Sequence, residues 1–218
     1  MRTKKGLFAG VLAAAASAVA FVAVQSPVSA EQMGLSQDAQ KAKVGSPAPD
    51  FVLKDTTGKE HTLSGYTSEG KIVVLEWTNP NCPYVKRHYE KYTTMKDTAA
   101  AYKDKVVWLA VNSTNPKHKD FGAEKDAIKQ WGIEYPVLID SDGKVGKMYE
   151  AKTTPHMYVI NSEGILVYAG AIDNDAQDKL EADKKVNYVK QAIEELLKGE
   201  TVSQPETKPY GCGVKYAS

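Results

Sequence analysis

Lys71 to Lys86 reads KIVVLEWTNPNCPYVK, and this stretch decides the fold. Its first half, Lys71 to Thr78, is a nearly continuous apolar run of strand length, the mark of a strand covered on both faces and therefore central in a sheet. Asn79-Pro80-Asn81 breaks the strand. Cys82 then opens a segment, running to Tyr102, with helix-compatible spacing and no internal glycine, and Pro83 stands where a first helical turn tolerates proline. A cysteine just past the carboxyl end of a central strand and at a helix start lies where function concentrates in α/β sheets. Unpaired backbone N–H groups and the positive end of the helix dipole would favour its thiolate.

Outward from this core the pattern alternates. Upstream, Gly45-Ser-Pro-Ala-Pro-Asp50 is an extended entry, and Phe51–Leu53 and Glu60–Leu63 flank a turn at Asp55–Gly58, which predicts a hairpin. Downstream, Lys105–Val111 is a second buried strand, Asp120–Trp131 an amphipathic helix stopped at Gly132, and Pro136–Ile139 a short strand. Val145–Ala151 reads as helix, His156–Ile160 and Ile165–Ala169 as a closing hairpin, and Asp183–Leu197 as the last helix. The fold class is α/β, a three-layer sandwich around a mixed sheet with an N-terminal hairpin extension and a C-terminal tail.

The ends differ from the middle. Met1–Lys5 is basic, Gly6–Val24 is apolar and uncharged, and Val28-Ser29-Ala30 offers a small-x-small cleavage pattern, so residues 1–30 read as a signal peptide. A retained anchor is the competing reading of the same run. Residues 31–43 form a polar linker, residues 44–198 the folded domain, and residues 199–218 a tail marked by Gly and Pro. A periplasmic or secreted location follows, with no membrane attachment once the leader is removed.

The 218 residues carry a net charge of +1, with 42% hydrophobic and 25% charged residues. Loss of Arg2, Lys4 and Lys5 with the leader leaves 25 basic against 27 acidic residues, interspersed, which argues against a nucleic-acid partner. His61, His88, His118 and His156 fall at no metal-ligand spacing, and no Gly-rich phosphate loop is present, so no cofactor is expected.

Cys82 and Cys212 are the only cysteines. In an exported chain an even count makes a bridge the default, and closing so long a loop stabilises a fold by about 4 to 5 kcal/mol in the chain-entropy model, enough for a purely structural staple. Glu76 is the odd residue inside KIVVLEWT: alternation sets it with Ile72 and Val74, opposite Leu75 and Trp77. Buried, its carboxyl would titrate near neutrality and serve as a general acid/base; at the end of the sheet, it would simply be solvated. Asn79, Asn81 and Tyr84 could hydrogen-bond an oxygen or sulfur near the thiol, or act only as turn and rim residues. The tyrosines at 84, 89, 92 and 102 read as packing and rim groups.

The strings GSPAPDFVLKDTTGKEHTLS, KIVVLEWTNPNCPYVK and TTPHMYVINSEG, in that order, resemble the redoxin branch of the thioredoxin superfamily, and NCPYV with the tail ETKPYGCGVKY resembles its peroxiredoxin-like members related to alkyl hydroperoxide reductase/thiol-specific antioxidant. The resemblance implies a thioredoxin-like fold, a reactive thiol at Cys82, and a cis bond between Thr154 and Pro155 beside it. It also has gaps. The chain reads Cys82-Pro-Tyr-Val85, so an adjacent resolving thiol is absent; the peroxiredoxin loop's Pro and Thr/Ser are replaced by Leu75 and Asn79. Arg87, the one arginine after the leader, stands about 140° around a helix from the thiol, whereas Lys86 shares its face.

These readings predict an exported thiol oxidoreductase in which Cys82 attacks a peroxide or a disulfide, Cys212 resolves it, and an external thiol regenerates the pair. The 14 or so residues between Lys198 and Cys212 can span about 45 Å. Gly211 and Gly213 would let that backbone enter and leave a tight site. A non-enzymatic redoxin-fold scaffold with a structural Cys82–Cys212 disulfide is the alternative.

Overall fold

The computed structural model describes residues 41–217; the leader and residues 31–40 of the linker lie outside them. The hairpin is β1 (Val52–Asp55) and β2 (Glu60–Thr62), followed by α1 (Leu63–Ser68), whose start is capped by the Thr62 side chain accepting from the Gly65 N–H. The central strand β3 (Ile72–Trp77) leads into α2 (Pro83–Lys86), a π-helical turn at Arg87–Lys91, and α3 (Thr94–Ala101). Then come β4 (Val106–Asn112), α4 (Glu124–Trp131), β5 (Val137–Ile139) and α5 (Lys144–Met148). The chain closes with β6 (Thr153–Thr154), β7 (His156–Ile160), β8 (Leu166–Gly170), α6 (Tyr188–Leu197) and β9 (Cys212–Gly213).

Seven strands form one mixed sheet in the order β2-β1-β5-β4-β3-β7-β8. β3 runs parallel to β4 and antiparallel to β7, and every residue of β3 is buried, as an apolar run flanked on both sides requires. One face, including Val73, Leu75 and Trp77, packs with Leu63 of α1 and Val145 of α5. The other, with Ile72, Val74 and Trp108, packs with Val85 of α2, Met95 of α3, Ala127 and Trp131 of α4, and Val189 and Ile193 of α6. This is the expected three-layer sandwich. Among the described residues no helix is long and apolar enough to cross a membrane.

Three expectations need correction. The segment from Cys82 to Tyr102 is not one helix: Tyr92 is extended, and leaving the helix lets its hydroxyl reach Asp178 at 2.6 Å. The helix expected from Asp120 starts at Glu124, after a turn in which Gly122 takes φ +84°. The last helix starts at Tyr188, where the Asn187 side chain accepts from the Lys190 N–H. The tail, residues 199–217, is docked: Thr207, Cys212, Gly213 and Lys215 make backbone bonds to the domain.

Candidate active site

Cys82 lies at the N-terminal boundary of α2 with an extended backbone, as the strand-loop-helix reading requires. Thr154 precedes a cis peptide bond to Pro155, and the Cys82 thiol donates to the Thr154 carbonyl at 2.9 Å. The Thr154 strand is itself paired: β9 runs antiparallel to β6, with Cys212 opposite Thr154 and Gly213 opposite Thr153. That pairing brings the two thiols, 130 positions apart in sequence, into direct interaction. Both are free thiols, Cys82 buried and Cys212 half-buried.

Gly211 is required for this approach: its φ is +142°, and a Cβ there would overlap the Thr154 carbonyl. Gly213 is not, since a Cβ at that position meets open space. Further along the tail, the Asn115 N–H donates to the Lys215 carbonyl at 2.8 Å, and the Tyr216 hydroxyl donates to the Ala151 carbonyl at 2.9 Å. On the near side, the Tyr210 hydroxyl donates to Asp173 at 2.5 Å and meets His88 Nε2 at 3.0 Å. Burial pushes the His88 ring down to about 4, so it stands neutral in that contact.

The two thiols are polarised in opposite directions. Burial pushes Cys82 up, but donation from the Cys212 thiol, the Thr154 hydroxyl, and the backbone N–H groups of Val85 and Cys212 more than offsets it and holds Cys82 below the ordinary thiol range. Burial, together with the hydrogen bond and negative charge of Cys82, pushes Cys212 up to about 11. The expected helix-start N–H is present at Val85, and the tail adds donors that the sequence did not announce. α2 is a single turn of four residues before the π-helical turn, and the anion is held by individual donors, two of them supplied by the tail.

A cavity of about 530 Å³ is lined by Asn79, Asn81, His118, Lys119, Asp120 and Lys215 together with both cysteines. Asn79 and Asn81 are where the sequence placed them, but their amides are committed: they donate to the two oxygens of Asp120, each at 3.1 Å. Asn79 Oδ1 also accepts the Asn81 backbone N–H at 2.8 Å. They shape the loop and anchor a carboxylate. Tyr84 is elsewhere: its ring lies 5.9 Å from that of Tyr210, with the Arg87 guanidinium over both. Arg87 points away from the thiol as its spacing predicted and donates to the carbonyls of Asp175 and Ala176 at 3.2 Å. Lys86, expected on the thiol's face, is exposed and lines no part of the cavity; the cations there are Lys119 and Lys215.

Glu76 is fully buried, which excludes the solvated reading. Its oxygens accept from the Tyr89 hydroxyl at 2.8 and 2.9 Å, from Trp108 Nε1 at 2.9 Å and from the Tyr135 hydroxyl at 3.4 Å. Burial raises its carboxyl to about 7, and the donors limit the rise. Tyr89 is accordingly a core residue rather than a rim group, its ring stacked on Trp131 with centroids 4.6 Å apart. The carboxyl shares the apolar layer of Cys82 and Val85 while its hydrogen bonds go to aromatic groups.

Sequence reasoning missed Asp120, His118, Lys119 and Lys215. Asp120 carries a helix-start signature that the turn at Gly122 overrides, and Lys215 belongs to the tail whose docking no periodicity reports.

A thioredoxin-like sheet with a cysteine at the end of its central strand, a second thiol against it and a cis-proline turn alongside defines a thiol-redox scaffold. The chain belongs to the AhpC/TSA family, whose pattern matches residues 44–169. It is 34% identical over 126 residues to the thiol-disulfide oxidoreductase ResA of Geobacillus kaustophilus, a match covering 56% of this chain and 65% of the relative. Among solved structures it resembles a hypothetical protein from Sinorhizobium meliloti (26% identity, TM-score 0.66, covering 82% of this chain and 97% of the other). It also shares its fold with the thioredoxin domain of a thiol-disulfide oxidoreductase from Bacteroides vulgatus (21% identity, TM-score 0.53, covering 72% and 99%).

Proposed function

We propose that the protein is an exported thiol-disulfide oxidoreductase in which Cys82 is the attacking thiol and Cys212 the resolving one. The observation that carries this reading is the placement of two free thiols: Cys82 at the strand-to-helix turn beside the cis Thr154–Pro155 bond, and Cys212 set against it by the β6–β9 pairing, with the donors around Cys82 favouring its anion. In the forward cycle the Cys82 thiolate attacks one sulfur of a disulfide, the S–S bond breaks, and one thiolate leaves. Cys212 then loses its proton and attacks the Cys82 sulfur of the mixed disulfide, releasing the second thiolate and leaving Cys82 bonded to Cys212. Two electrons pass from the two protein thiols to the substrate, and an external dithiol returns them.

Glu76, with a carboxyl near neutrality, is the group we assign to holding or returning the proton that the thiols exchange. Thr154 and Pro155 form the wall against which the sulfur is positioned. Arg87 is engaged with loop carbonyls and two tyrosine rings, which favours a disulfide over a peroxide as oxidant, because among the described residues no guanidinium is left to polarise an O–O bond. Residues 1–30 are assigned to export and removed after Ala30; N-terminal sequencing of the exported protein should begin at Glu31.

Substitution of each thiol tests the assignment. Cys82→Ser should abolish the first reaction with a disulfide. Cys212→Ser should allow that step and then accumulate the mixed disulfide, visible as a mass increase. A purely structural bridge makes another forecast: both substitutions lower thermal stability equally, and no adduct is trapped.

A further inference from the structure

The two sides of the Cys82 sulfur are closed and open in a way that selects the substrate. An extended polypeptide is normally held by an exposed strand edge, through main-chain hydrogen bonds. Next to Cys82 such an edge is β6, since the Thr154 carbonyl is 2.9 Å from the sulfur, and β6 is occupied by the protein's own tail. The occupancy is close. Gly211 lies against the Thr154 carbonyl with no room for a side chain, the Val214 N–H donates to Lys152, and Tyr216 is seated against Gly143 and Gly146, where a Cβ would meet its ring. Tyr210 secures the other end through Asp173, His88 and the Arg87 guanidinium.

The open side is the polar cavity. Its carboxylate, Asp120, is buried and has an asparagine amide on each oxygen. Lys119 is exposed and Lys215 half-buried, and neither makes an ion pair within 4.0 Å among the described residues. Lys215 and Asp120 act electrostatically on Cys212 with opposite sign, Lys215 the more strongly, so the positive charge prevails there.

We propose that the docked tail bars polypeptide disulfides from Cys82, and that its oxidant is a small disulfide carrying negative charge, admitted through the Lys119–Lys215 cavity. This rests on the thiol-disulfide reading above and names its substrate class. The chemistry is unchanged: one small disulfide takes two electrons and, with two protons, leaves as two thiols, while Cys82 and Cys212 become the bridge.

The experiment is stopped-flow oxidation of the reduced chain by three probes. 3,3′-Dithiodipropionate and cystamine are small disulfides of similar length and opposite charge; the third is an unstructured peptide dimer joined by one disulfide. The dianion should react about fivefold or more faster than the dication relative to their rates with free cysteine, and the Lys119→Gln, Lys215→Gln double variant should erase the difference. The peptide should be the slowest probe. Gly211→Val, which cannot seat against Thr154, should raise its rate relative to the small probes by about tenfold or more, and Tyr216→Ala should act in the same direction. Circular dichroism confirms that each variant is folded. Equal treatment of the two small probes, or a peptide rate that matches theirs in the parent chain, overturns the substrate assignment alone. Failure of all three probes to oxidise Cys82 faster than free cysteine overturns the oxidoreductase reading beneath it.

Discussion

Replacing Glu76 by Gln should remove a large pH dependence from the protein's stability. In the folded chain the carboxyl is fully buried and raised from 4.5 to about 7. A carboxyl whose folded value lies above its unfolded value binds its proton more tightly when folded. Its stabilising contribution is complete below about pH 4.5 and is lost as pH rises through 7. The difference of some 2.5 pH units corresponds to about 3 kcal/mol, a substantial part of the stability of a domain this size. Gln keeps an oxygen for Trp108 Nε1 and for Tyr89 but carries no charge at any pH. His88 and His156 also titrate across this range, both lowered by burial to about 4; they have the opposite sign, losing stability as pH falls below about 6.5. They are present in both proteins and cancel in the comparison. Urea denaturation of the reduced parent and Glu76→Gln chains at half-unit steps from pH 4.5 to 8 therefore isolates the carboxyl. The stability of the parent relative to the variant should fall by about 3 kcal/mol, with most of the change between pH 5 and 7.5. A difference flat to within about 0.5 kcal/mol would refute the reasoning, because it would mean that Glu76 is ionised in the fold with no more difficulty than in the unfolded chain.

Other outcomes follow from the same contacts. The midpoint of Cys82 alkylation against pH should lie below the free-thiol value of about 8.5 and move up in Cys212→Ala, since the substitution deletes one of the donors that hold the anion; an unmoved midpoint contradicts the polarised pair. Tyr210→Phe removes the hydroxyl shared by Asp173 and His88, and should cost about 1 to 2 kcal/mol while raising amide exchange in residues 207–216; unchanged exchange there contradicts the anchoring of the tail. Trp108→Phe leaves Glu76 with one donor fewer and should move its titration, read by carboxyl infrared bands, above 7; a downward move contradicts the assigned hydrogen bond.

The sheet was legible because its strands carry their own signal. IVVLEW is buried at every position, and the alternation that separated Val74 from Leu75 and Trp77 is realised in the two apolar layers. The Cys82 position was legible in the same local sense, whereas the cis Thr154–Pro155 bond was what the family resemblance implied. What was not legible depends on tertiary partners. Tyr92 leaves its helix for Asp178, and Asp120 leaves its helix start for two asparagine amides; neither partner is near in sequence. The docking of residues 199–217 along their length left no local signal, because hydrogen bonds to Ala169, Asn115, Lys152 and Ala151 create no hydrophobic period.

That docked tail changes what the missing adjacent cysteine means. In a Cys-x-x-Cys arrangement both thiols would share one helical turn; here Val85 fills that place as a fully buried core residue, and the apolar layer is continuous from Ile72 through Val85 to Val189. The second thiol arrives instead on a strand supported by main-chain and tyrosine contacts at both ends. Its main-chain bonds to the domain are to Asn115, Lys152, the short strand β6 and the end of β8, and Tyr210, Cys212 and Val214 pack against the two apolar layers. Cys82's acidity would change with that docking: when the tail lifts, the sulfur loses the Cys212 thiol and Cys212 N–H donors and keeps only those of Thr154 and Val85. Docking and nucleophilicity are thereby linked, and the thiolate is best stabilised in the state in which its resolving partner is already beside it.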